Sequence, residues 1–208
     1  LTGLNTVRIL ETKEEIKGDH IIIATGSKPS KLPIPGIDGP GVITSDDALV
    51  LSSLPQSILV IGGGAVGLEF AQIFNRMGAK VTVVEMMPQI LPSEDTEIAK
   101  ALEQALKEDG IEVLTGATVT AIEGAKGQKR IRLARGPSKE ERICEQVLVA
   151  VGREPNTDGL WIKGLDIATE KRRILVNERM ETNITGVYAV GDVVGRMALA
   201  HVAMAEGK

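Results

Sequence analysis

Cysteine, histidine and aromatic residues are scarce in this sequence, and each scarcity removes a class of function. The single cysteine, Cys144, excludes an internal disulfide framework and a thiolate-rich metal site, and it fits a reducing compartment. It sits in ERICEQVLVAVG, just before an apolar run, and reads as a strand-edge thiol rather than a nucleophile. Only His20 and His201 could serve as imidazole ligands, too few for a histidine metal centre. Aromatic residues make up 2% of the chain and the formal net charge is −4, which leaves neither stacking surface nor basic face for nucleic acid. No apolar run approaches the roughly 20 residues that cross a bilayer. The opening LTGLNTVRIL lacks the basic region and apolar block of a signal peptide. The expectation is a soluble, cytoplasmic protein with no membrane partner, an organellar matrix being compatible with the same features.

What is present is enough apolar material, 43% of 208 residues, to build one large core or two small ones. The chain begins at Leu1, and its last residues, HVAMAEGK, read as a helix cut in mid-turn, which points to a piece of a longer protein. IIIATG from Ile21 and LPQSILVIG from Leu54 are β-branched runs ended by glycine, suited to strands buried on both faces. Between them Pro29, Pro33, Pro35 and Pro40 exclude helix and central strand, leaving a linker or covering loop. A helix follows LPQSILVIG with Val66, Phe70, Ile73 and Met77 expected on its buried face, and Gly78 ends it. KVTVVE is a second strand. SEDTEIAKALEQALKEDG is a second helix with Ile98, Leu102 and Ala105 as its stripe, and IEVLTG is a third strand. Strands alternating with helices imply βαβ units and a parallel sheet.

The pattern then changes to an antiparallel meander, ATVTAIEG, QKRIRLARG and EERICEQVLVAVG, whose segments alternate and are parted by Gly- and Lys-rich turns. Lys126, Lys129, Arg130, Arg132, Arg135, Lys139 and Arg142 read as the solvated face of that sheet. HIIIATGSKP at His20 and QVLVAVGREP at Gln146 share one design: buried strand, glycine, two polar residues, proline. These are expected to be equivalent closing strands of two related domains, only one of which has its opening glycine motif in this chain.

That motif is ILVIGGGAVGLEF, in which Gly62, Gly64 and Gly67 leave a predicted strand and open a predicted helix. Gly62 makes the tight turn, Gly64 admits a pyrophosphate to the backbone, and Gly67 lets helix and strand pack closely. The unpaired N–H groups of the helix start supply a partial positive charge. Glu85 ends the next strand, roughly twenty residues on, where an acid binding the adenosine ribose is expected. A 2′-phosphate about 4 Å from it would be repelled by roughly 4 kcal/mol at an effective dielectric of 20, so NAD is expected over NADP.

ATGSKP, ITSDDAL, VIGGGAVGLEFA, VTVVEMMPQILPSED, VGREPNT, TNITGVYAVGDVVG and LAHVAMAEG together give the chain a resemblance. It is identified as similar to the flavin-dependent pyridine nucleotide disulfide oxidoreductases, and MPQILPSED and LAHVA point to their dihydrolipoyl (lipoamide) dehydrogenase branch. The resemblance implies an α/β, Rossmann-like FAD/NAD(P)-binding fold with an NAD domain inserted in a partial FAD domain. Residues 1–44 would be the first FAD segment, 45–179 the NAD domain, and 180–208 the returning FAD segment. It implies NAD contacts at Gly62, Gly63, Gly64, Ala65, Val66, Gly67 and Glu69, the adenosine ribose at Glu85, adenine at Val119 and the nicotinamide side at Gly152. It implies FAD contacts at Thr25, Gly26, Ser27 and Asp192, with Ala198, Leu199, Ala200 and His201 beside the flavin ring.

No catalytic residue is assigned, because the family's cysteine pair, opening FAD motif and histidine–glutamate base have no counterpart in this sequence. The expected parent enzyme passes electrons from dihydrolipoamide through a disulfide and FAD to NAD. The homodimer is its expected assembly, and a 2-oxo acid dehydrogenase complex its expected partner. The chain by itself is expected to bind NAD, to hold an incomplete FAD shell and to be inactive. A related flavoprotein (transhydrogenase, mercuric reductase or NADH oxidase type) and a non-enzymatic NAD-binding module stay open.

Overall fold

The computed structural model describes residues 1–125, 127–160 and 166–208. Lys126 of the expected basic row and Trp161 lie outside the described residues. The chain forms two compact units, Pro29–Gly152 and Leu1–Lys28 with Arg153–Lys208. Residues before 45 supply an edge strand and a covering strap to the first of these units.

The opening segment holds a hairpin of β1 (Thr6–Arg8) and β2 (Glu15–Lys17), closed by an Arg8–Glu15 ion pair of 2.6 Å. β3 (Ile21–Ile23) and β4 (Ser27–Pro29) follow. The hairpin is short and mostly exposed, which explains why no hydrophobic period announces it.

In Pro29–Gly152 the chain runs β5 (Val42–Thr44), α1 (Ser45–Ala48), β6 (Ser57–Ile61), α2 (Ala65–Arg76), β7 (Lys80–Glu85), α3 (Thr96–Glu108) and β8 (Glu112–Thr115). Then come β9 (Thr118–Glu123), β10 (Lys129–Arg135), β11 (Ser138–Cys144) and β12 (Gln146–Val149). Five strands make a parallel sheet in the order β5-β12-β6-β7-β8. Alternate residues of each strand point to opposite faces. Ile58, Val60, Val81 and Val83 accordingly join a core with Leu68, Phe74 and Leu106 of the helices. Leu59, Ile61 and Val84 join a second core with Val119, Ile131 and Leu133 of the antiparallel sheet β11-β10-β9. The sheet is thus covered by helices on one face and by the meander on the other. EERICEQVLVAVG, read as one meander segment, divides at Glu145: β11 stays in the meander and β12 enters the parallel sheet.

The returning segment contributes β13 (Arg153–Pro155), β14 (Thr169–Glu170), β15 (Arg173–Ile174), β16 (Val187–Ala189), a 3-10 turn at Gly191–Val194 and α4 (Ala200–Glu206). β16 pairs in parallel with β3. β13 is paired with β4, so the two echoed sequences end in strands that pair with each other. Ile23, Ile174, Val187, Ala189 and Val193 form this unit's core.

Three expectations about faces are corrected. On α2 the buried residues are Gly67, Leu68, Ala71 and Phe74, whereas Val66, Ile73 and Met77 are exposed and Phe70 is half-buried. The glycine decides the rotation: a Cβ at residue 67 would overlap the Gly62 carbonyl oxygen, so the small-residue face is the one that lies on the sheet. On α3 the stripe is Ala99, Leu102 and Leu106, with Ile98 and Ala105 exposed. Lys129 is not on the solvated face. It is 1% exposed, and its Nζ donates to the Gly124 carbonyl at 2.9 Å.

Candidate functional site

β6 delivers the chain to Gly62, whose φ of +111° and contact with the Ala150 carbonyl exclude a side chain. Gly63 is committed at both ends. Its N–H donates to Glu85 Oε2 at 2.6 Å, and its carbonyl accepts from the Leu91 N–H at 2.8 Å. Gly64 then caps α2, and a Cβ there would meet no atom within 4 Å. No side chain caps α2 and no acid occupies its first turn, so the orphan N–H groups of the helix start have no side-chain partner.

Those amides lie at the edge of a cavity of about 460 Å³ lined by Gly62, Gly64, Ala65, Val66, Glu85, Val119 and Gly152, seven of the residues expected to meet NAD. Gly63 and Gly67 stand behind the cavity, holding Glu85 and the helix in place. Glu69 is exposed on α2 and does not line it.

Glu85 is 7% exposed. Its Oε1 accepts from the Met87 N–H at 2.8 Å while Oε2 takes Gly63, so two backbone amides fix the carboxylate. A carboxylate offers about four acceptor sites, so each oxygen keeps a lone pair for a ligand hydroxyl. Met86 and Met87 follow at the rim, 68% and 43% exposed, and both line the cavity. Sequence reasoning missed Leu32, Ile34, Met87, Pro92 and Thr118 as lining residues. For Leu32 and Ile34 the signal was available: in LPIP each apolar residue stands before a proline and every second residue is apolar.

The second expected group gathers in the other unit. Ser27 Oγ donates to Asp192 Oδ2 at 2.6 Å, and Arg153, which sequence reasoning left unassigned, donates from Nε to Ser27 Oγ at 2.8 Å and from Nη2 to the Ser27 carbonyl at 2.9 Å. Thr25 Oγ1 donates to the Asn156 carbonyl at 2.6 Å, and the Gly26 carbonyl accepts from the Asn156 N–H at 2.9 Å. Beside them the Lys28 ammonium hydrogen-bonds Asp158, holding that carboxyl below the usual carboxylate range with help from Arg172. Ala198 and Leu199 precede α4 and Ala200 and His201 open it, all four exposed. The Glu206 carboxylate of that helix accepts the Gly191 N–H at 2.7 Å, next to Asp192.

Cys144, at the end of β11, donates its thiol to the Gln146 carbonyl at 3.0 Å, and burial pushes its pKa up to about 11. It is a structural thiol, not a nucleophile.

A family model described as pyridine nucleotide-disulphide oxidoreductase matches residues 1–207. The chain belongs to that family. It is 44% identical over 190 residues to the dihydrolipoyl dehydrogenase of Bacillus subtilis (strain 168), covering 90% of this chain and 40% of that protein. It is 44% identical over 206 residues to the dihydrolipoyl dehydrogenase of Thermus scotoductus (strain ATCC 700910 / SA-01), covering 96% and 44%. A solved structure of the HOCl-induced flavoprotein disulfide reductase RclA from Escherichia coli matches with a TM-score of 0.90 at 31% identity, covering 99% of this chain and 47% of that one. The chain therefore spans less than half the length of these three relatives. The α/β fold, with its parallel sheet and antiparallel strands, agrees with the Rossmann-like expectation. No helix among the described residues is long and apolar enough to cross a membrane.

Proposed function

We propose that Pro29–Gly152 is an NAD(H)-binding domain, and that the chain is the nucleotide-binding part of a dihydrolipoyl dehydrogenase. One observation carries the reading. An uncapped helix N-terminus, a glycine whose Cβ direction is open, and a backbone-fixed carboxylate one strand away share one cavity. The cavity fits a dinucleotide: amides of the α2 start would hold the diphosphate, Glu85 would accept the adenosine ribose hydroxyls, and the apolar wall would shield the base.

The other unit fits part of a flavin site. Ser27, itself held by Arg153, donates to one carboxylate oxygen of Asp192, and that carboxylate would accept from a ligand hydroxyl such as the ribityl chain's. FAD, when bound, supplies the two-electron chemistry that links a dithiol donor to NAD. The chain's own residues bind, orient and shield. The only thiol, that of Cys144, is buried and protonated, so the redox disulfide must come from sequence outside this chain. The chain alone is accordingly expected to bind NADH and not to turn over dihydrolipoamide. The 44% identity to two dihydrolipoyl dehydrogenases favours that activity for the parent over other flavoprotein types, with a homodimer, a 2-oxo acid dehydrogenase complex and a cytoplasmic or organellar-matrix setting.

Calorimetric titration of the 208-residue chain with NADH and NADPH tests the reading. NADH should bind at least tenfold more tightly, about 1.4 kcal/mol, and equal affinities would contradict the role given to Glu85. Replacing Glu85 by arginine is a poor reversal of that preference, because a guanidinium would then face the Gly63 and Met87 N–H donors in a buried position. Met86→Arg is the better variant. It adds a cation at the exposed rim and should raise NADPH affinity while leaving NADH binding within a few-fold.

A further inference from the structure

Leu32 and Ile34 line the cavity from outside the βαβ frame, on the proline-rich strap that precedes β5. The strap's backbone is set by its own sequence. Leu32 precedes Pro33 and Ile34 precedes Pro35, and a proline ring excludes helical geometry for the residue before it. Extended backbone sends alternate side chains to opposite sides, and here Leu32 and Ile34 are half-buried while Pro33 and Pro35 are exposed.

Both ends of the strap are tied to the cavity's own walls. The Ser30 N–H donates to the carbonyl of Gly152, itself a lining residue, at 3.0 Å. At the other end the Pro35 carbonyl accepts from the Ile122 N–H at 2.9 Å, three residues beyond Val119 on β9. Gly36, at φ +85°, presses so closely on Ile122 that a Cβ would overlap its carbonyl oxygen. The strap turns back through a Gly39 N–H to Gly36 carbonyl bond of 3.0 Å. The ammonium of buried Lys129 lies 3.9 Å from where a Cβ of Gly39 would stand.

We infer that Leu32 and Ile34 form a pre-ordered apolar platform for the adenine base of the dinucleotide. This rests on the NAD reading and extends it to residues outside the glycine motif. Three observations support the choice of the adenosine end. Leu32 and Ile34 pack against the same core cluster as Val119, the strap is bonded to Val119's own strand, and Glu85 lines the same cavity. A purine offers two apolar faces, and a platform ordered before binding costs little side-chain entropy when the ring arrives. Contact over about 50 Å² of ring surface corresponds to about tenfold in Kd.

The test is calorimetry on the 208-residue chain with ADP-ribose and with nicotinamide mononucleotide as separate probes, for wild type, Leu32→Ala, Ile34→Ala and the double variant. Each single change should weaken ADP-ribose several-fold and the double change at least tenfold, with mononucleotide affinity little changed, all titrated well below a thermal midpoint that the lost packing lowers. Ile34→Leu, which keeps an apolar side chain of equal size, should bind ADP-ribose like wild type. Unchanged ADP-ribose affinity in the double variant overturns the platform while leaving the NAD reading intact. Equal loss for both probes also overturns it, since the effect would not be local to adenine. Wild-type chain that binds neither ADP-ribose nor NADH refutes the NAD reading itself, and the platform falls with it.

Discussion

Replacing Gly64 by alanine separates binding from folding, because the fold needs nothing from this glycine and the proposed ligand does. Its backbone, φ −79° and ψ 177°, is open to any residue, and a Cβ meets no atom within 4 Å. Alanine is a poorer helix cap than glycine by about 0.5 kcal/mol. Lost freedom in the unfolded chain returns about 0.4–1 kcal/mol, so stability should change by less than about 0.5 kcal/mol. Binding should change far more. The methyl group projects beside the free amides of α2 and keeps a diphosphate from two charge-assisted hydrogen bonds worth about 1.5–3 kcal/mol each. A net loss of about 3–4 kcal/mol is expected, 100-fold or more in the Kd for NADH. Gly67→Ala is the converse. Its Cβ overlaps the Gly62 carbonyl oxygen, so destabilisation of about 1–3 kcal/mol is expected, read as a lower thermal midpoint. Calorimetry and thermal melting on both variants check the pair. Gly64→Ala that binds NADH within threefold of wild type would refute the reasoning.

Cys144 should be inert in the folded chain: at pH 8 a thiol with a pKa of about 11 is almost wholly protonated, and a disulfide reagent should label one equivalent only after denaturation. Rapid labelling of the native protein would contradict its placement. Glu112 accepts hydrogen bonds from Arg142 and from Thr82, and the Arg142 guanidinium holds it below the ordinary carboxylate range. A lowered folded pKa stabilises fully above the unfolded value of about 4.5, and that stabilisation is lost as pH falls through the folded value. With side chains 28% and 39% exposed, the pair contributes only about 1 kcal/mol. Urea denaturation of Glu112→Gln should therefore show a deficit of about that size at pH 7 that fades toward pH 3. A deficit independent of pH would exclude the linkage.

The sheet, the glycine turn and Glu85 were legible because each rests on local chemistry. Short β-branched runs such as SILVI and KVTVVE, bounded by turn residues, suit buried strands, and the spacing from Gly64 to Glu85 is fixed by one helix between two strands. The helix faces were not legible. Apolar residues occupy two adjacent flanks of α2, and what selects one is a backbone contact at Gly67 that no hydrophobic period encodes. Lys129 was misread by residue type: it shares the register of Ile131 and Leu133 on the buried face of β10, and its ammonium has a carbonyl partner inside. Arg153 and the strap residues depend on contacts far apart in sequence, Ser27 to Arg153 and Pro35 to Ile122, which spacing alone does not reveal. The hairpin of β1 and β2 was absent from the sequence reading because its three-residue strands bury almost nothing.

The central claim, that the start of α2 receives the diphosphate of a dinucleotide, is tested most directly by two-dimensional amide NMR of the isotopically labelled chain during titration with NADH. The largest shifts are expected on the N–H groups of Gly64, Ala65 and Val66, with smaller ones at Val119 and Gly152. Saturable binding whose shifts leave Gly64, Ala65 and Val66 unmoved would contradict it.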